Sequence, residues 1–299
     1  KPSRGRNPLG PIFGDIASGI AYEHALTRSV RDSAALLDVT SGPDIGDPYC
    51  APCNERPFIE EVGADVGKLK IGFLTSVPKG WHASTELHPD CVDAVKDAAQ
   101  LCRALGHIVD EITPDALSYP NVTESFGCIF SSFIGHAISY WERELGRKIT
   151  EDELEPVTWG RYQSAKGQTG ADFLVAVEEA QRFTRKVARW YYDGGYDLLL
   201  SPTMRIPPTK LGDLKWTPEN PEKWIALVQS FGTFTRIQNL TGQPAMSVPL
   251  FWNQDGIPIG VQFAGRFGDE ATLFRLAAQL EQERPWADRM PQIHCSNRS

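Results

Sequence analysis

The chain has 299 residues, 41% of them hydrophobic and 23% charged, with a formal net charge of −8. That is ordinary globular composition, and the length supports a buried core that needs no disulfide or metal to fold. The acidic balance argues against nucleic acid and other polyanions as partners. No apolar run reaches the length of a membrane span, and no apolar h-region marks a signal peptide. The six cysteines (Cys50, Cys53, Cys91, Cys102, Cys128 and Cys295) are sparse and irregularly spaced, so no disulfide framework is expected. The expected setting is a reducing cytoplasm.

Residues 1 to 28 read as loop with short extended pieces. Ser29 caps a predicted helix carrying Val30, Ala34, Leu36 and Leu37, which Gly42 ends. Lys68 to Leu74 reads as a strand apolar enough to be central. Pro89 to Leu105 is an amphipathic helix stopped by Gly106, and His107 to Ile112 is the next strand. This strand–helix–strand unit predicts parallel pairing. Asn121 to Leu145 carries apolar residues nearly all round, among them Phe126, Phe130, Phe133 and Trp141, so it is expected to be buried or to face a cavity.

Thr150 with Glu153 forms a capping box for a further helix, and Gly170 to Asp193 is a third long helix. Arg182, Arg185, Lys186 and Arg189 fall at helical spacing beside Glu178 and Glu179, the pattern of a solvated helix face. Tyr196 to Leu200 is a short buried strand delivering Ser201-Pro202-Thr203 to its C-terminal end. A long loop through Pro207, Pro208, Pro218 and Pro221 follows, of the length found in lids and pocket walls. One helix is predicted over Trp224 to Asn239. Pro244 to Leu250 and Pro258 to Ala264 are strands joined by the turn Asn253-Gln254-Asp255-Gly256. Asp269 caps a closing helix to about Glu283. Together these predict an α/β fold, residues 1 to 299 as one domain, with a mixed β-sheet flanked by helices on both faces.

The chain contains no G-x-S-x-G, G-x-x-x-x-G-K-[ST], H-E-x-x-H or G-x-G-x-x-G run, so no cofactor is implied. Cys50-x-x-Cys53 has no second ligand pair at zinc spacing; His82, His88 and Cys91 are its nearest companions, and no metal site is assigned. It reads as two loop thiols or as a redox pair. His24 reads as a hydrogen-bonded loop histidine or as a general base, with Glu23 and Ser18 near in sequence. Cys128 is a small core residue or the lining of a cavity. Thr203 sits in a strand-to-loop turn, where α/β folds also place ligands.

Several runs occur in a telling order: Lys1-Pro2-Ser3-Arg4-Gly5-Arg6, Leu26-Thr27-Arg28-Ser29-Val30-Arg31-Asp32, Gly46-Asp47-Pro48-Tyr49, Leu199-Leu200-Ser201-Pro202-Thr203, Asn239 to Pro249 (N-L-T-G-Q-P-A-M-S-V-P) and Gly260 to Arg266 (G-V-Q-F-A-G-R). Gly268-Asp269-Glu270 and Pro285-Trp286 complete the series. Together they resemble the amidase signature family, nearly end to end. His24-Ala25-Leu26-Thr27-Arg28 makes the chain most similar to the members grouped with hydrolases of cyclic nylon-oligomer dimers.

The resemblance implies hydrolysis of linear amides, and of some esters, through an acyl-enzyme on a Ser–Ser–Lys triad. A buried Lys with a lowered pKa serves as base, and backbone N–H groups hold the oxyanion. In the family that apparatus precedes the K-P-[TS]-x-G-R motif, which here is residue 1, and Lys1 is the motif's own lysine. No catalytic residue is therefore carried over, and the chain is expected to be the later part of the fold. The substrate-binding candidates are Cys128, Ile129, Ser132, Thr203 and Asn239, around a small amide or ester. A truncated chain acting as an esterase through an improvised Ser, and a non-catalytic remnant, are the alternatives. A sheet without its partner strands is further expected to associate through its edge or to repack there.

Overall fold

The computed structural model describes residues 1–81, 86–217 and 221–291, the side chains of 221–223 excepted. Five strands form one mixed sheet in the order β2-β1-β3-β5-β4. They are β1 (Lys70–Phe73), β2 (Ile108–Glu111), β3 (Leu198–Pro202), β4 (Ala245–Trp252) and β5 (Pro258–Ala264). β1 pairs in parallel with β2 and β3, and β5 runs antiparallel to β3 and β4. The expected parallel unit and the hairpin are both present. In the hairpin turn the Ile257 carbonyl accepts from Asn253 N–H at 3.0 Å. Pro249, which has no N–H to donate, sits in the edge strand β4, where a proline is tolerated.

Alternation in the strands divides the core. Leu198 and Leu200 of β3, with Ile71 and Phe73 of β1, face helices α2 (Pro89–Ala104) and α8 (Glu270–Glu283). Leu199, on the other face, packs against α5 (Gly170–Gly194) and α7 (Thr235–Thr241). Helices therefore cover both faces. The cap residues act where expected: Ser29 accepts from Asp32 N–H at the start of α1 (Val30–Thr40), and Asp269 from Thr272 N–H. The Thr150–Glu153 box closes a single 3₁₀ turn just ahead of α4 (Pro156–Lys166). Arg182 pairs with Glu178 and Glu179 on the solvated face of α5.

Two elements differ from expectation. The helix expected over 224–239 is broken: α6 spans Pro221–Phe231, and α7 starts after Gly232, Thr233 and Phe234. Glycine weakens the helix interior, and buried Thr233 turns its hydroxyl back to the Gln229 carbonyl. The helix α3 (Val122–Leu145) is neither buried nor turned to the main cavity. It packs on α4 and α5 as an outer layer, so Trp141 stays 57% exposed and Tyr140 44%. Among the described residues no helix is long and apolar enough to cross a membrane. His82, Pro218 and Cys295 lie outside the described residues.

Candidate active site

The first six residues form no helix or strand, yet three of them are buried. Lys1 and Ala245 exchange both main-chain hydrogen bonds at 2.9 Å, which seats the segment on the outer edge of β4. The Arg4 guanidinium donates to the carbonyls of Gly19 and Leu240, the second at the end of α7. Arg4 also packs on Gly242, whose φ of +78° ends α7 and whose missing Cβ would lie 3.1 Å from the Arg4 Cβ. Arg6 forms a buried two-point pair with Glu270, at 3.0 and 2.9 Å, and Ser3 N–H donates to the same carboxylate at 2.7 Å. Burial alone would raise the Glu270 carboxyl. The hydrogen bonds and charge of Arg6, with Ser3 N–H, outweigh it and hold the group below the usual carboxylate range. The loop thus ties β4, α7 and α8 together without an element of its own.

Lys1 Nζ donates to the carbonyls of Pro2 and Gln243 and lies 3.5 Å from the Tyr22 ring centre. Burial, then the neighbouring Arg4, push its pKa well down. Tyr22 donates to the Asn239 carbonyl at 2.9 Å, and burial pushes its hydroxyl up to about 12.

These contacts form one wall of a cavity of about 1070 Å³. Its other walls are β4, the 20–30 loop, the start of α1, α8 and the 286–291 segment. The interior is mostly apolar, with a small set of polar groups at the sheet. Thr203 and Ser247 hydroxyls lie 2.7 Å apart, bridging the end of β3 and β4. Gly260 leaves them room: a Cβ there would sit 2.8 Å from Ser247 Oγ and 3.0 Å from Thr203 Oγ1. Gln262 on β5 donates to Ser201 Oγ and to Gln238 Oε1. An apolar cavity with a few convergent polar groups is the usual form of a small-molecule site.

Of the sequence candidates, Thr203 and Asn239 line this cavity together. Cys128, Ile129 and Ser132 lie on α3, outside the cavity's walls. Cys128 Sγ is 3.8 Å from the Asp172 carbonyl, Ile129 is buried in the core beneath α3, and Ser132 donates to Gln168 at 2.8 Å. Trp224 donates to the Leu214 carbonyl, which holds α6 to the Pro-rich loop. Cys50 and Cys53 are both exposed. His24 meets neither Glu23 nor Ser18 in a side-chain bond; its Nε2 lies 2.9 Å from Ser33 Oγ, on the cavity wall, and burial lowers its pKa. Ser247 and Gln262 were readable as polar positions within apolar strands. The His24–Ser33 pair had no such signal, because a loop and a helix meet there only through the fold.

The family model for amidases matches residues 1–274. The chain belongs to the amidase signature family. Among amidases it is 38% identical over 300 residues to a 6-aminohexanoate-cyclic-dimer hydrolase of Paenarthrobacter ureafaciens, and 37% identical to one of a Pseudomonas species. Each alignment covers 98% of this chain and 60% of the relative, so the chain spans about three fifths of these amidases' length. A solved structure of 6-aminohexanoate cyclic dimer hydrolase superposes with a TM-score of 0.90 at 36% identity, over 98% of this chain and 61% of the other. The amidase subgroup expected from the sequence is the one these relatives represent.

Proposed function

We propose that this chain belongs to a hydrolase that cleaves the carbon–nitrogen bond of small amides, linear and cyclic, and that residues 1 to 299 supply binding walls rather than the nucleophile. The observation that carries the reading is the match along nearly the whole chain to cyclic-dimer hydrolases, at a TM-score of 0.90. The cavity fits this role: apolar walls suit an aliphatic or aromatic acyl group, and Thr203, Ser247 and Gln262 offer hydrogen bonds at its sheet side. In the chemistry the family resemblance implies, a serine hydroxyl attacks the amide carbon and its proton passes to the leaving amine. Water then releases the acid from the acyl-enzyme. No residue of 1–299 is assigned to that nucleophile or its base.

The test is complementation. The segment that the resemblance places ahead of the K-P-[TS]-x-G-R motif, taken from the Paenarthrobacter relative and joined ahead of Lys1, is expected to give a protein that releases acid and amine from a linear anilide or from 6-aminohexanoate cyclic dimer. The 299-residue chain alone is expected to release neither. A folded chimaera inactive on all amides would contradict the proposal.

One contact favours a second reading, an esterase using Ser33. Its hydroxyl lies 2.9 Å from His24 Nε2 on the cavity wall, and a lowered histidine pKa keeps the ring neutral and able to accept a proton at pH 7. A serine-directed fluorophosphonate that labels Ser33, with turnover of p-nitrophenyl esters lost in Ser33→Ala, would support it. An unlabelled, inactive chain would dismiss it.

A further inference from the structure

A second group of side chains stands on α3, away from the cavity. Phe126 and Phe130 stack with ring centres 5.9 Å apart and planes within 10°. Arg236, from the start of α7, has its guanidinium 5.3 Å from the centre of Phe126. Arg161, from α4, has its own 6.0 Å from Phe130. Two cations from different helices thus lie over neighbouring rings of a third.

Among the described residues neither arginine enters a salt bridge. Besides Phe130, Arg161 meets one polar side chain among the described residues, Ser131 Oγ at 3.4 Å, near the limit of a hydrogen bond. Arg236 is half-buried, and burial, followed by the nearby charge of Arg161, lowers its pKa. Gly232 leaves it space, since a Cβ there would lie 2.9 Å from Arg236 Nε. Placing like charges together, one of them partly desolvated, costs folding free energy unless an anion joins them. Ring stacking holds a guanidinium flat and leaves its N–H edge free for a planar, two-oxygen acceptor.

We infer that Arg161 and Arg236, set over Phe126 and Phe130, form a subsite for a carboxylate carried on an apolar chain. The rings give the apolar chain a surface, and the two guanidinium groups over neighbouring rings give the carboxylate its donors. Arg236 stands one turn of α7 before Asn239, a cavity-lining residue, so the subsite and the cavity share a helix. On the amidase reading, the ligand is a linear amide with a free acid end, or the acid that hydrolysis releases. The subsite itself does not depend on that reading.

The test compares hexanoate with hexanamide, which share a tail and differ in charge, by calorimetry or ligand-observed NMR on the 299-residue chain at low salt. Hexanoate is expected to bind about tenfold tighter or better, as charge-assisted hydrogen bonds would give, and the preference should shrink as salt rises. Arg161→Gln and Arg236→Gln should each weaken hexanoate about fivefold or more and leave hexanamide unchanged. Arg161 is exposed, so Arg161→Gln remains a valid test if Arg236→Gln fails to fold. Equal binding of the two ligands, or unchanged hexanoate affinity in the folded variants, would overturn the inference. Because no turnover is measured, such a failure would leave the amidase reading standing.

Discussion

Arg6 and Arg236 are both withdrawn from solvent, and the protein treats them differently. Arg6 is saturated: two bonds to the Glu270 carboxylate, and others to the carbonyls of Pro52 and Gly268. Arg236 lies over an aromatic ring whose stacked neighbour carries a second arginine, and it makes no salt bridge among the described residues. The first arrangement commits four of the five guanidinium N–H groups, and its consequence is structural. It fixes a loop with no regular structure against β4, α7 and α8, so the most recognisable motif of the chain acts as a fastener. The second leaves donors free, and its consequence is a capacity to bind. A buried charge is thus read by its partners rather than by its burial.

The largest expected effect breaks the saturated side. Glu270→Gln or Arg6→Met leaves one buried partner unpaired and should cost about 3–5 kcal/mol of stability, measured by urea unfolding. If either variant loses less than about 1 kcal/mol, the fastener account fails. Gly260→Val comes next. Its side chain would drive into the Thr203–Ser247 contact, and about 1–3 kcal/mol is expected from overpacking between strands.

Arg236→Gln should change stability by under about 1 kcal/mol, since a ring contact is lost while a repulsion is relieved. A loss near that of Arg6→Met would erase the contrast. The pH dependence is finer still. The Glu270 carboxyl is held below its ordinary value in the folded state, so its pair contributes above about pH 4.5 and is lost as pH falls through the lowered value. His24 is also lowered, so its contribution is present above about pH 6.5 and is lost on acidification through its folded value. Thermal unfolding from pH 7 to 3 should therefore show a decline beginning below pH 6.5 and steepening below 4.5. The first part should lessen in His24→Gln and the second in Glu270→Gln, while the Lys1 amino group, lowered to about 5, and Glu61, lowered to about 2, supply the remainder.

What could be read from the sequence followed the range of the forces involved. The Ser29 and Asp269 caps, the Asn253–Gly256 turn and the parallel β1–β2 unit depend on residues near one another, and all are present. The break between α6 and α7 was hidden because Trp224 to Asn239 keeps an apolar period across Gly232. The exposure of α3 was hidden because its apolar residues suit a core equally well, and only its outer-layer position leaves Trp141 half uncovered. At the site, Thr203 was legible from its place after a strand and Asn239 from the family pattern, and both line the cavity. The His24–Ser33 contact and the Arg161–Phe130 and Arg236–Phe126 contacts join residues from separate elements, and no local spacing announces them.

Hydrolysis by the complemented chain tests the central proposal most directly. With 6-aminohexanoate cyclic dimer and a linear anilide as substrates, mass spectrometry of the products should show carbon–nitrogen cleavage when the relative's preceding segment is joined ahead of Lys1. The 299-residue chain by itself should show none. Cleavage by the chain alone, or a folded chimaera that cleaves no amide, would contradict the assignment of residues 1 to 299 as the binding walls of an amidase.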